Sequence, residues 1–144
     1  DEVEGWTPVE GLDLPMRSNL VQWDWNADEG AFMRSQAGSP HMDVANGQIS
    51  ATNVVVLIAT YLPSSIDRNS PEAQTVAAGQ AIIFSNGQYL KATWSRDDNT
   101  EPIRFTAGTN GPPVLLTPGN TWIELAEYNG NVDPDLISTE LTIR

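Results

Sequence analysis

Apolar and polar residues alternate with a period of two through much of this chain, and the alternation breaks at glycine, proline and asparagine corners. In LVQWDWN, residues 20–26, Val21, Trp23 and Trp25 fall on one side and Leu20, Gln22, Asp24 and Asn26 on the other. That is the signature of a half-buried strand, because successive side chains of an extended chain point to opposite faces. Ala27-Asp28-Glu29-Gly30 supplies a turn and AFMRSQ at 31–36 a return strand, so 20–36 is predicted to be a hairpin. TNVVVLIATYL at 52–62 is apolar in both phases and β-branched, which predicts a central strand covered on both sides. AIIF at 81–84 and QYLKATWSR at 88–96 flank Asn86-Gly87, the dipeptide best suited to the two positive-φ positions of a type I′ turn. Leu90, Ala92 and Trp94 share one face of the second strand. PIRFTA at 102–107 and TWIELAEY at 121–128 are further strands, and VLL at 114–116 is a short candidate. Thr117-Pro118-Gly119-Asn120 fits a type II turn. A second Asn-Gly, at 46–47, suits a tight turn.

Two regions are less regular. SPEAQTVAAG at 70–79 admits a short helix, with Ser70 as cap, Pro71 in the first turn and Gly79 past the end. It also admits a short strand at Gln74 to Val76. DEVEGWTPVEGLDLPMR, residues 1–17, follows neither period and is expected to be a linker or an arm laid on the domain. The boundaries are therefore 1–17 for the arm, 18–128 for a β-rich domain and 129–144 for a polar tail, in which ELTIR is a candidate edge strand. The expected fold is β-dominated α+β, mostly antiparallel, with few short helices. Its expected core is Val54, Val56, Ile58, Ile82, Phe84, Leu90, Trp94, Ile103, Phe105, Ile123 and Leu125.

Composition narrows the function more than it defines it. A chain of 144 residues is one domain in size and large enough to fold on an apolar core. It has no cysteine, which removes disulfides, thiol nucleophiles and Cys-ligated zinc. Seven basic residues stand against nineteen acidic, a net charge of −12. Nucleic-acid backbones and anionic membrane surfaces would be repelled. No apolar run approaches the roughly 20 residues of a spanning helix. The chain opens on Asp1 and is expected to be a piece of a longer precursor.

Candidate chemistry is sparse. His41, the lone histidine, lies in SPHMD between Ser39 and Asp43. A hydrolytic relay would need these three to converge, which neighbours on an extended segment rarely do. Asp97-Asp98-Asn99 and Asp133-Pro134-Asp135 are too thinly spaced for a calcium loop. No metal ligands and no cofactor site are assigned. Five tryptophans invite a sugar-stacking reading, with Trp23 and Trp25 on one face and Trp6 as a further candidate, although packing is the simpler account. Trp94 and Arg96 project to the same side, so Arg96 is expected to stack on Trp94 or to pair with Asp97, Asp98 or Glu101. The ligand-binding candidates are thus Trp94, Arg96, Trp23, Trp25, His41 and Asp43.

Taken in order, WDWNADEGAFMRSQAG, PHMD, NGQISATNVVVL, AIIFSNGQYLKATWSR, PIRF and LTPGNTWIEL resemble the C-terminal domain of the YerB-like bacterial lipoproteins, a family of unknown function. The resemblance spans roughly residues 18–127. It implies an extracytoplasmic, lipid-anchored envelope protein of two domains, this chain being the second, with the anchor on the first. It also favours strand over helix at 74–76. No catalytic residue comes with it. Three functions follow as expectations: a non-enzymatic binding or scaffold module; a glycan-binding module using Trp23, Trp25 or Trp6; and an envelope hydrolase around Ser39, His41 and Asp43.

Overall fold

The computed structural model describes residues 5–144, and every regular element among them is a β-strand. The first half contains β1 (Thr7–Pro8), β2 (Gly11–Pro15), β3 (Leu20–Asn26), β4 (Ala31–Gln36), β5 (Ser39–Pro40), β6 (Met42–Asp43), β7 (Gly47–Gln48), β8 (Ser50–Ala51) and β9 (Asn53–Ala59). There follow β10 (Tyr61–Pro63), β11 (Pro71–Ala73), β12 (Ala77–Ser85), β13 (Gln88–Arg96), β14 (Arg104–Ala107), β15 (Thr121–Glu127) and β16 (Thr142–Ile143). The α+β expectation is therefore corrected to an all-β fold. The helix that Ser70 and Pro71 could have started does not form, because Pro71–Ala73 pairs with Tyr61–Pro63 instead. Gln74 to Val76, read as a strand, is the link between β11 and β12.

Two sheets carry the fold. The larger runs β1-β13-β12-β9-β15, with β14 also on β13; the smaller runs β16-β2-β3-β4-β5, with β8 also on β4. Pairing is antiparallel except between β9 and β15. Both predicted hairpins are present. Asn86 and Gly87 take φ of 53° and 72°, as a type I′ turn requires. At the other Asn-Gly only Gly47 is positive, because Asp43 Oδ1 accepts from Ala45 N and Asn46 N and shapes a longer loop.

The larger sheet is buried on both faces, which is why 53–59 is apolar in both phases. Val54, Val56, Ile58, Ile82 and Phe84 face the smaller sheet and meet Leu12, Leu14, Val21, Trp23 and Phe32. Val55, Leu57, Ala81, Ile83, Ala92 and Trp94 face away and are covered by Trp6, Ile103, Phe105, Val114 and Leu116. Much of the expected core is where it should be, with one correction. Ile123 is 40% exposed. β15 is an edge strand whose Trp122, Glu124 and Ala126 face the smaller sheet, which turns Ile123 outward. The segment 1–17 is no surface arm in its described part, since Leu12 and Leu14 of β2 are fully buried. The tail supplies β16, paired antiparallel with β2 at the edge of the smaller sheet. VLL does not form a strand; Pro113 makes an isolated bridge to Thr106.

Two polar anchors hold the layers in register. Asn53, fully buried, donates to Thr117 O at 2.8 Å and accepts from Ser85 Oγ at 2.7 Å and Thr117 N at 3.1 Å. It thereby fixes the Thr117–Asn120 corner, whose Gly119 lies so close to Thr52 that a Cβ would sit 2.2 Å from Oγ1. Trp94 Nε1 donates to Ile58 O at 2.9 Å, passing over Gly79, where a Cβ would lie 2.7 Å from that nitrogen and 2.8 Å from Ile58 O. Backbone on one side cannot yield, so Gly79→Ala is expected to lower the unfolding free energy by about 1–3 kcal/mol, read from urea denaturation. A change indistinguishable from zero would show that the Trp94 bond is dispensable.

Candidate functional site

The most conspicuous charged group is sealed between the sheets. Arg34 of β4 and Glu124 of β15 are each 5% exposed. Their alternation phase turns both toward the partner sheet, among Trp23, Phe32, Trp122 and Ala126. Arg34 Nε donates to Glu124 Oε1 at 2.9 Å, and Trp23 Nε1 donates to the same oxygen at 3.2 Å. Arg34 Nη1 donates to Gln36 Oε1 at 2.8 Å and to His41 Nδ1 at 2.6 Å. The arginine being always a donor, His41 accepts at Nδ1 and carries its proton on Nε2. The guanidinium also lies 5.0 Å from the Trp122 ring and 5.8 Å from that of Trp23, within cation–π range. Among the described residues, no buried side-chain polar atom lacks a partner. This is a satisfied cross-link between layers.

The residues singled out from sequence are scattered by the fold. Trp23 is fully buried and Trp25 packs against Phe32, ring centroids 4.9 Å apart, with its indole over Gly87. Two indoles on one strand face thus become core, and no stacking platform forms from them. His41 is bound to Arg34, while Asp43 Oδ1 caps its own turn. Ser39 and Asp43 make no hydrogen bond to the His41 ring, so the hydrolase reading is not favoured. Trp94 is buried. Arg96 leaves it and donates to the carbonyls of Asp98 and Asn99 at 3.1 and 2.7 Å. The expected acidic partners serve others: Asp97 and Glu101 pair with Arg104, and Asp98 caps Thr100, which holds its carboxyl below the usual range.

A concave site does exist, and the residue patterns gave no hint of it. A groove of about 510 Å³ opens at one end of the sandwich. Its walls come from four separate segments: the β2–β3 turn (Pro15, Met16, Arg17, Ser18), Tyr61 of β10, the end of β15 with Leu125, Glu127, Tyr128 and Asn129, and the tail with Thr139 and Glu140. The tail is pinned there. Thr139 Oγ1 donates to Glu127 O at 2.9 Å, and Gln80 Oε1 accepts from Ser138 N at 2.8 Å while Gln80 Nε2 donates to Leu136 O at 3.1 Å. Arg17 Nη2 reaches both oxygens of Glu127 at 2.9 Å and lies 5.8 Å from the Tyr61 ring. Tyr61 donates its hydroxyl to Leu125 O at 2.9 Å. Burial pushes that hydroxyl up from its ordinary 10.0, the Glu127 carboxylate pushes the same way and Arg17 opposes. Among the described residues no group of three or more His, Asp or Glu is placed to hold a metal ion.

Two measurements check these assignments. Removing one member of the sealed pair strands the other, so Glu124→Gln is expected to lose about 3–5 kcal/mol in urea denaturation. The double variant Arg34→Met with Glu124→Leu should lose far less. Equal losses would place the effect in packing alone. At the groove, the Tyr61 pKa is raised on folding, so its contribution is full below pH 10 and lost as pH rises through the folded value. In a spectrophotometric titration Tyr61 should ionise later in the folded protein than in the unfolded chain, and Tyr61→Phe should remove that late step.

Comparison with known proteins places the architecture. The model of a family described as protein of unknown function (DUF3048) C-terminal domain matches residues 12–123. The crystal structure of the YerB protein from Bacillus subtilis is similar, with a TM-score of 0.67 at 17% sequence identity, over 99% of this chain and 45% of that one. At that identity the likeness is one of fold, and this chain spans less than half the length of YerB. No curated protein matches it. With a β-sandwich like that of YerB and a family match over most of its length, the chain belongs to the DUF3048 C-terminal domain family, whose function is unknown.

Proposed function

We propose that this domain is a ligand-binding module of a bacterial envelope lipoprotein and that the groove at the end of the sandwich is its binding surface. One observation carries the reading. The groove, at about 510 Å³, has the size of small-molecule sites, roughly 300–1,000 Å³. It combines an apolar floor of Met16, Tyr61, Leu125 and Tyr128 with charges fixed at its rim by the Arg17–Glu127 pair. The envelope location rests on the resemblance to YerB-like lipoproteins. A net charge of −12 suits a partner that is neither nucleic acid nor anionic lipid.

The test is an amide NMR titration of the isotope-labelled domain with soluble muropeptides released from bacterial cell wall. Shifts are expected at Met16 to Ser18, Tyr61, Glu127 to Asn129 and Thr139 to Glu140. Tyr128→Ala, at an exposed position, should weaken them. Shifts confined to other surfaces, or none at saturating probe, would end this reading.

A further inference from the structure

We infer that the groove takes a short peptide with free ends, its carboxylate held by Arg68 and Arg17 and its ammonium group by Glu140. This rests on the groove being the binding surface, and it goes further by naming what lies there and which way round.

The argument begins with the basic residues, only seven in a chain of net charge −12. Six are engaged: Arg34, Arg104, Arg144 and Arg17 in ion pairs, Arg96 on backbone carbonyls and Lys91 on Asp135 O. Arg68 alone makes no side-chain hydrogen bond or ion pair among the described residues. It does not dangle from a loose loop. Asp67 accepts from Asn69 N and Ser70 Oγ, both at 3.0 Å, and Ser64 N donates to Ser70 O at 2.8 Å. This closes a turn between the paired β10 and β11. The turn sets Arg68 in a hollow of about 250 Å³ whose walls include Arg17 and Tyr61, the same two residues that line the groove. The hollow is thus a side lobe of the groove with a spare cation in it.

The other end carries the opposite sign. Glu140 lines the groove beside Thr139 and Tyr128 and, among the described residues, its carboxylate has no partner. Arg68 lines only the lobe and Glu140 only the groove, and Tyr61 and Arg17 stand where the two join. A cation in the lobe, apolar surface from Tyr61, Leu125 and Tyr128, and an anion in the groove complement a carboxylate, small side chains and an ammonium group. An extended peptide of a few residues presents those three in line. Charge complementarity also disfavours a purely anionic ligand, which Glu140 would repel, and a purely cationic one, which Arg68 would repel.

The experiment titrates the intact domain with tetra-L-alanine, its C-amide and its N-acetyl form, following groove amides by NMR. Amidation and acetylation should each weaken binding, by roughly two- to fivefold, as for an exposed charge pair. Arg68→Ala should weaken the free acid by a similar factor and narrow its advantage over the amide to what Arg17 alone supplies. Glu140→Ala should make the amine and its acetyl form equal. Both side chains are exposed, so the fold should stand, and unchanged amide spectra away from the groove check that it does. Each variant thus closes a double-mutant cycle with one end of the probe. If the variants weaken all three probes alike, or the amide binds as well as the acid, the orientation is overturned. If tetra-alanine leaves the groove unshifted while muropeptides shift it, the peptide assignment falls and the groove reading survives; if both leave it unshifted, both fall.

Discussion

Burying Arg34 against Glu124 is the constraint around which the sandwich is arranged. Two charges taken out of water are unfavourable unless their remaining donors and acceptors are met. Here Trp23, Gln36 and His41 meet them, and Trp122 covers the guanidinium face. Each of those residues comes from a different place: Trp23 from β3, Gln36 from β4, His41 from the following link, Trp122 from β15. The pair therefore sets the position of the edge strand of one sheet against the middle of the other. A hydrophobic contact could slide by a residue at modest cost, whereas a bond shared with a single carboxylate oxygen cannot. The β15 register on β9 and the orientation of Ile123 toward water both follow from Glu124 pointing inward.

The same logic explains what could be read from the residues alone. Hairpins at 20–36 and 81–96 were legible because Asn86-Gly87 and the Ala27–Gly30 turn are local, and because Trp23 and Trp94 alternate cleanly with polar neighbours. The double-faced burial of 53–59 was legible from VVVLIA. β2 was not, because Pro8, Gly11 and Pro15 interrupt a pattern that rests on only Leu12 and Leu14. In TWIELAE both phases carry apolar residues: Leu125 packs against the outer cluster as expected, but Ile123 of the same phase is left exposed, and nothing local tells the two apart. Arg34 and Glu124 look like solvent-facing positions on half-buried strands. Their burial depends on each other, 90 residues apart, and no local pattern records that. The groove was illegible for a related reason. Met16, Tyr61, Tyr128 and Glu140 belong to four segments with no shared motif, and only the closure of the sandwich brings them together.

Recognisable family motifs turn out to be mostly architectural. The TPGNTW corner is fixed by Asn53 and Thr52, TWSR by the Trp94 bond to Ile58 O, and WDWN by the core and the Gly87 turn. The groove lies partly in segments outside those blocks, including Tyr61 and the tail. Binding sites on loops and chain ends, positioned by a rigid sheet scaffold, are the usual division of labour in proteins.

The parallel pairing of β9 with β15 also governs how the chain reaches this structure. Asn53 lies beside Thr121, so some seventy residues must be gathered before the first rung closes. Antiparallel hairpins on either side form from neighbours and are expected to come earlier. Chains dominated by such distant rungs fold in milliseconds to seconds, several orders slower than helical bundles. During that interval VVVLIA stands as an uncapped, uncharged ribbon able to add a strand from another molecule. Nascent chains of this domain are therefore most vulnerable to self-association before residues 121–127 arrive, and least so once Glu124 has found its arginine.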